Sequence, residues 1–363
     1  MKRLVWLTGI ILATVALLFG VNVILNKAQE PAKASKAGNS TLTIYNWGDY
    51  IDPSLIRKFE KQTGYRVNYE TFDSNEAMIT KIKQGGTNYD LTVPSDYMIA
   101  KMKEEHLLVP LDKSKLTNYK YYDKRFLNQS FDKGNKYSLP YFWGTLGIVY
   151  NDKYVKASEV QTWNDLWDAK WKNSIMLLDS SRDMMGMALA SNDDSVNATD
   201  TATLAAAKGK LDALMPNVKA IVADEIKMYM VQDEAKIAVD YSGEAATMID
   251  EDSHLHYVVP KGNGNIWFDN IVMPKTVKNK KAAYAFLNFI SEPKNAAQNA
   301  EYVGYATPNK AAFALLPKAL RNDKQWYPSN QQVSKLTVYQ NLSPTLTQTY
   351  NDLFLEFKMS TKH

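Results

Sequence analysis

A chain of 363 residues exceeds what one ordinary hydrophobic core encloses, so two domains or lobes are expected. The net charge of +4 lies wholly in residues 1–40, where Lys2, Arg3, Lys27, Lys33 and Lys36 face only Glu30. The other 38 basic and 38 acidic residues cancel, which excludes the broad basic field that nucleic-acid binding requires, and the absence of cysteine excludes disulfides, thiol catalysis and thiolate metal sites.

The chain opens on Met1-Lys2-Arg3, followed by 22 residues without formal charge from Leu4 to Leu25. At about 1.5 Å per residue this run is long enough to cross a hydrocarbon core of about 30 Å. A secretory apolar region is shorter, roughly 7–15 residues, so a removed signal peptide and an uncleaved anchor are both open readings. Ala32-Lys33-Ala34 offers a cleavage site. Positive charges ahead of the run place the body outside the cytoplasmic membrane, on a polar tether, "NKAQEPAKASKAGNS", ending at residue 40.

From residue 41 strand and helix signals alternate. "TLTIYN" puts Leu42 and Ile44 on one face. Asp52-Pro53 starts a helix through Leu55, Ile56 and Phe59, which Gly64 ends. "RVNYETF" is a second strand, and Asp73 with Glu76 forms a capping-box pair for a helix through Met78, Ile79 and Ile82. "YDLTVP" is a third strand, leading into the helix of "SDYMIAKMKEEHLL". This order predicts a doubly wound sheet.

A second region opens after "SLPYFWGTLGIVYN". It holds strand-like "NSIMLLD", a helix near "DMMGMALA", an Ala-rich helix over 201–215, and strand-like "KIAVDYSG" and "YVVPKGNGNIWFDNIVMP". Helical "KNKKAAYAFLNFIS" and a last helix ending in "TYNDLFLEFK" close the chain. Ligands of doubly wound sheets gather at the carboxyl ends of strands. "NWGDY", "PSDY", "LLDSSRD", "VDYSGE" and "IWFDN" all read as a strand followed by an acidic or aromatic loop, so they are expected to converge.

Histidines are few: His106, His254, His256 and His363. "HLH" could supply two metal ligands, but no third is signalled nearby, so no metal site is expected. The sequence carries no HExxH, GxSxG, Walker or dinucleotide glycine pattern, and neither an enzyme nor a cofactor is expected. Asp179 and Asp183, four apart at a strand-to-helix turn, allow three readings: the acid/base pair of a secreted glycosidase, caps of a helix N-terminus, or acceptors of a cation among rings. The last uses Trp, Tyr and Asp together.

The ordered motifs "YNWGDYID", "YDLTVPSDYMI", "LDKSKLTNY", "SLPYFWGT", "ALMPNV", "IWFDNIVMP", "GYATPN" and "YQN" resemble the spermidine/putrescine-binding proteins, extracytoplasmic receptors of polyamine ABC importers. The resemblance runs from Leu42 to Lys358. It implies two doubly wound α/β lobes joined by hinge crossings, the type II periplasmic binding protein fold. Lobe I would comprise 41–144 and 269–313, and lobe II 145–268 and 314–363. Matched by motif, Trp47, Asp49 and Tyr50 would form one wall of a polyamine site, with Ser95 and Tyr97 beside them. Asp183 would take an ammonium group near Tyr241. Trp267 and Asp269 would supply a ring and a counter-ion, and Tyr305 and Gln340 would complete the site. Ser180 stands where some relatives carry a second carboxylate, and Glu244 replaces a small residue. The resemblance implies a monomer that binds polyamine and ABC permease subunits, and meets the membrane through its N-terminal segment if that is uncleaved. Another cationic or amine-containing solute is the alternative ligand.

Overall fold

Strand β1 (Thr41–Trp47) buries Leu42 and Ile44 as its alternation predicts. The computed structural model describes residues 40–360; the signal or anchor expected over 4–25 and its cleavage lie outside the described residues. Among the described residues no helix is long and apolar enough to cross a membrane. Helix Pro53–Thr63 begins on the carboxylate of Asp52, which accepts the Ser54 N–H at 2.7 Å, and ends at Gly64 with φ of 75°. After β2 (Arg66–Phe72) the helix Asn75–Gln84 is capped by Ser74, not by the expected Asp73–Glu76 pair. The Ser74 hydroxyl accepts from the Ala77 N–H at 3.1 Å, the spacing an N-cap requires. β3 is only Leu91–Thr92, because Pro94 has no N–H to extend the ladder, and helix Asp96–Glu104 follows.

β4 (Ser138–Asn151) has all 14 residues buried, and at about 3.4 Å per residue it is long enough to serve both halves of the molecule. The remaining strands are β5 (Ile175–Leu178), β6 (Val218–Val222), β7 (Ile237–Tyr241), β8 (Leu255–Val258), β9 (Gly264–Val272) and β10 (Leu336–Thr337). Their order is β2-β1-β3-β9-β4-β7-β5-β6, with β8 also on β4 and β10 on β9. β1 runs parallel to β2 and β3, and β5 runs parallel to β6 and β7. Between these parallel groups lies the antiparallel pair β4·β9. β4 changes partner within itself: Thr145 faces Ile266 of β9, and the next residue, Leu146, faces Tyr241 of β7. The expected class holds: two doubly wound α/β halves, joined by chain that crosses between them.

One expectation is corrected. "IWFDN" is not a loop beyond a strand end; Ile266–Asn270 lies inside β9 and is paired along β4. Trp267 and Asp269 therefore project from alternate positions on one face of a strand.

The first half has a core on each face of its sheet, one around Leu42, Phe59, Leu91 and Phe286, the other around Tyr45, Met78, Tyr89 and Phe268. The second half has its own, around Ile148, Met176, Met184, Ile237 and Phe357. Each fully buried side chain of this size contributes about 1.5–3 kcal/mol. Leu316 and Leu320 pack in the first half, and the chain joins the core of the second from Leu336 and Tyr339 onward.

Candidate functional site

Asp269 is 6% exposed. Its backbone bridges to Ser95, which places two hydroxyls on its carboxylate: Tyr50 donates to Oδ2 at 2.5 Å and Ser95 to Oδ1 at 2.7 Å. Ser95 stands at the N-cap of helix Asp96–Glu104 yet makes no side-chain cap bond; its hydroxyl serves Asp269 instead. Asn75 braces this arrangement. Its Oδ1 accepts the Ser95 N–H, and its Nδ2 lies 3.1 Å from both the Ser95 hydroxyl and the Tyr97 hydroxyl. Burial pushes the Asp269 carboxyl up to about 6, against the opposing pull of the Tyr50 and Ser95 hydroxyls. Asp96, also buried, accepts the backbone N–H groups of Tyr97 at 2.6 Å and Phe268 at 3.0 Å. It thereby locks the start of that helix to β9 beside Asp269, and burial raises its carboxyl to about 8.

In the second half Asp183 is the counterpart, 5% exposed in the first turn of helix Ser181–Ser191. Its Oδ2 accepts from the hydroxyls of Ser180 at 2.5 Å and Tyr241 at 2.6 Å. Burial raises this carboxyl, while the hydroxyls of Ser180, Tyr241 and Tyr339 and the Arg182 charge pull it down. Ser180 is the N-cap of the helix. Asp179 is exposed and ion-paired to Lys358 at 2.6 Å, and it does not cap the helix, a place that Ser180 takes.

A run of rings joins the two carboxylates. Tyr50 meets Tyr305 edge-to-face with centroids 5.4 Å apart, Tyr305 meets Trp267 at 5.1 Å, and Trp267 meets Tyr241 at 6.2 Å. Two glycines allow this approach. A Cβ on Gly144 would come 2.3 Å from the Trp267 ring, and one on Gly243 would come 1.9 Å from the Tyr305 ring. Tyr305 itself follows Gly304, whose φ of 84° ends helix Pro293–Val303. Its hydroxyl donates to Glu244 at 3.3 Å.

Of the residues singled out in the sequence, Tyr50, Ser95, Asp183, Tyr241, Trp267, Asp269 and Tyr305 come together in this way. Tyr97 reaches the group through Asn75. Trp47 lies half-buried, with its indole N–H on the Val93 carbonyl at 2.9 Å and its ring against Phe72. Asp49 is exposed in a left-handed turn with φ of 48°. Gln340 is exposed, and its neighbour Tyr339 is the buried one, stacked under the Arg182 guanidinium at 4.3 Å. Sequence reading missed Asn75, Asp96 and Tyr339. Asn75 had a signal: β2 lies parallel to β1, so the turn after it opens on the same edge. Among the described residues no group of three or more His, Asp or Glu could hold a metal; His254 and His256 both bond to Asp152.

The model of the family of bacterial extracellular solute-binding proteins matches residues 54–328. The spermidine/putrescine-binding periplasmic protein of Salmonella typhimurium is 40% identical over 304 residues, 83% of this chain and 87% of that protein. Among solved structures, a putative spermidine/putrescine ABC transporter from Listeria monocytogenes superposes with a TM-score of 0.83 at 58% identity, covering 89% of this chain and all of that one. The spermidine/putrescine ABC transporter substrate-binding protein of Streptococcus pneumoniae gives 0.83 at 55% identity over the same shares.

Proposed function

Because the chain belongs to the bacterial extracellular solute-binding protein family, we propose that it is an extracytoplasmic receptor that captures a polyamine, spermidine or putrescine, and delivers it to an ABC importer. The observation that carries this reading is the pair of buried carboxylates, Asp269 and Asp183, held by hydroxyls at the two ends of one run of rings. Among the described residues neither enters an ion pair, whereas Asp179 and Glu244 do. A buried carboxylate without a cation is costly, and ammonium groups supply that cation. Methylenes between them lie along Tyr305 and Trp267, whose faces attract positive charge. The ring walls exclude water and strengthen the pairs.

On this reading the site binds without chemistry: its acceptors meet hydroxyls and ammonium groups, and capture needs no covalent step. The carboxylates come from different halves, so capture requires the halves to come together about their crossings. The lobes divide as 41–144 with 269–313 against 145–268 with the C-terminal segment, whose return crossing we place at Leu336–Tyr339. The receptor acts as a monomer that docks permease subunits and, if its N-terminal segment is not cleaved, is held at the membrane by that segment.

A thermal-shift screen tests the reading. Putrescine, spermidine or spermine at about 100 times its dissociation constant adds roughly 2.7 kcal/mol of stability. Unmoved melting with all three, and a rise with a saccharide or a different cationic solute, overturns it.

A further inference from the structure

Three carboxylates touch the run of rings, and they are not equivalent. Asp269 meets Tyr50 and Asp183 meets Tyr241, each through hydroxyls. Glu244 meets Tyr305 through Oε1 at 3.3 Å, but its Oε2 is held by the Lys227 ammonium at 2.8 Å. The third carboxylate thus already has an ammonium group, and the chain provides it. Both side chains remain about one-third exposed, Lys227 at 38% and Glu244 at 31%, so the pair is reachable from solvent and can be exchanged.

The surroundings make this cation important. Asp240 is 2% exposed at the end of β7 and accepts the Tyr241 N–H at 2.7 Å. Asp224, Asp240 and Glu244 all lie within electrostatic reach of Lys227, and the Lys227 charge acts on Asp240 against its burial. Tyr305 feels Glu244, Asp240 and Asp269 together. An ammonium group at Lys227 therefore stands where a ligand's own additional ammonium would be drawn, one ring away from the Asp269–Asp183 axis.

We propose that Lys227 is a selectivity residue: an internal ammonium that occupies Glu244, so that the cleft draws two ammonium groups from a ligand and a longer polyamine must displace Lys227 to use a third. The proposal rests on the polyamine reading above. Removing the Lys227 charge frees Glu244 for the ligand and shifts preference toward longer chains. Arg at this position keeps the charge and preserves the original order.

Calorimetric titration of putrescine, spermidine and spermine into the full chain, Lys227→Met, Lys227→Arg and Lys227→Met/Glu244→Gln tests this, with melting curves to verify folding of each. The expected result is a gain of about tenfold in the spermine-to-putrescine affinity ratio for Lys227→Met, the size of one charged contact. That gain is absent in Lys227→Arg and cancelled in the double variant. A ratio unchanged in Lys227→Met, with all three ligands still binding, overturns the selectivity role and leaves the polyamine reading standing. Absence of polyamine binding by the unmodified protein overturns both. If Lys227→Met does not fold, Lys227→Gln, which removes the same charge, is titrated in its place: a raised spermine-to-putrescine ratio supports the proposal and an unchanged ratio overturns it.

Discussion

The two ends of the ring run hold the same chemical group in different ways. Asp269 projects from a strand paired on both sides, and each carboxylate oxygen has its own hydroxyl, from Tyr50 and from Ser95. Asp183 sits in the first turn of a helix, and the hydroxyls of Ser180 and Tyr241 converge on a single oxygen. The helix N-terminus and the Arg182 charge already favour the ionised form of Asp183. Asp269 has only its two hydroxyls to oppose burial. The lesson is that equal burial does not mean equal need for a cation: the strand acid gains more from an incoming ammonium, while the helix acid is partly satisfied beforehand.

Removing one charge at a time puts that asymmetry to its hardest test. Asp269→Asn should weaken polyamine binding by about 3 kcal/mol and Asp183→Asn by about 1.5 kcal/mol, the range for hydrogen bonds to charged groups. Both should leave circular dichroism unchanged. Calorimetry giving the larger loss at Asp183 reverses the assignment of the two ends.

The pH dependence sharpens it next. With a carboxyl near 6 in the ligand-free protein, against about 3.9 in an unfolded chain, the native state binds more protons between those values. The contribution of Asp269 to stability is then fully present below about 4 and is lost as pH rises through about 6. Ligand affinity follows the opposite slope, because ammonium groups pair with the ionised form. Melting curves with and without spermidine between pH 5 and 7 should show the ligand-induced rise growing with pH, and Asp269→Asn should flatten that growth. A rise that stays constant with pH in the natural protein removes Asp269 from the binding equilibrium.

The smallest contrast lies in the tyrosines. Tyr50→Phe strips one oxygen of Asp269 of its donor and should cost about 1 kcal/mol of affinity. Tyr241→Phe leaves Ser180 on the same oxygen of Asp183 and should cost about half as much. Equal losses would show that convergence on one oxygen gives no redundancy.

Much of this arrangement is legible in the amino-acid order, for a physical reason. Parallel strands followed at once by helices force their turns onto one edge, which brings Tyr50, Ser95, Asp183 and Tyr241 near one another without any knowledge of contacts. Trp267 and Asp269 were legible as residues but not as geometry, since an antiparallel strand threaded through the middle of a sheet has the same local pattern as a strand that ends. Asp96 and Asn75 escaped because their work is done on backbone amides and on a serine distant in sequence, which no periodicity reports. Gln340 stood out in its motif, whereas Tyr339 beside it carries the burial; the C-terminal crossing has no repeat to set its phase.

The position of β9 between β3 and β4 also bears on how the chain is made. The first half cannot complete its sheet until residues 264–272 have left the ribosome, because β3 and β4 reach each other only through that strand. Contacts of such sequence separation fold slowly. For a protein that works outside the cytoplasmic membrane, this order of synthesis leaves the sheet of the first half open until β9, residues 264–272 of 363, has been made, and an unfinished sheet is the state in which that part of a polypeptide can still be threaded across a bilayer.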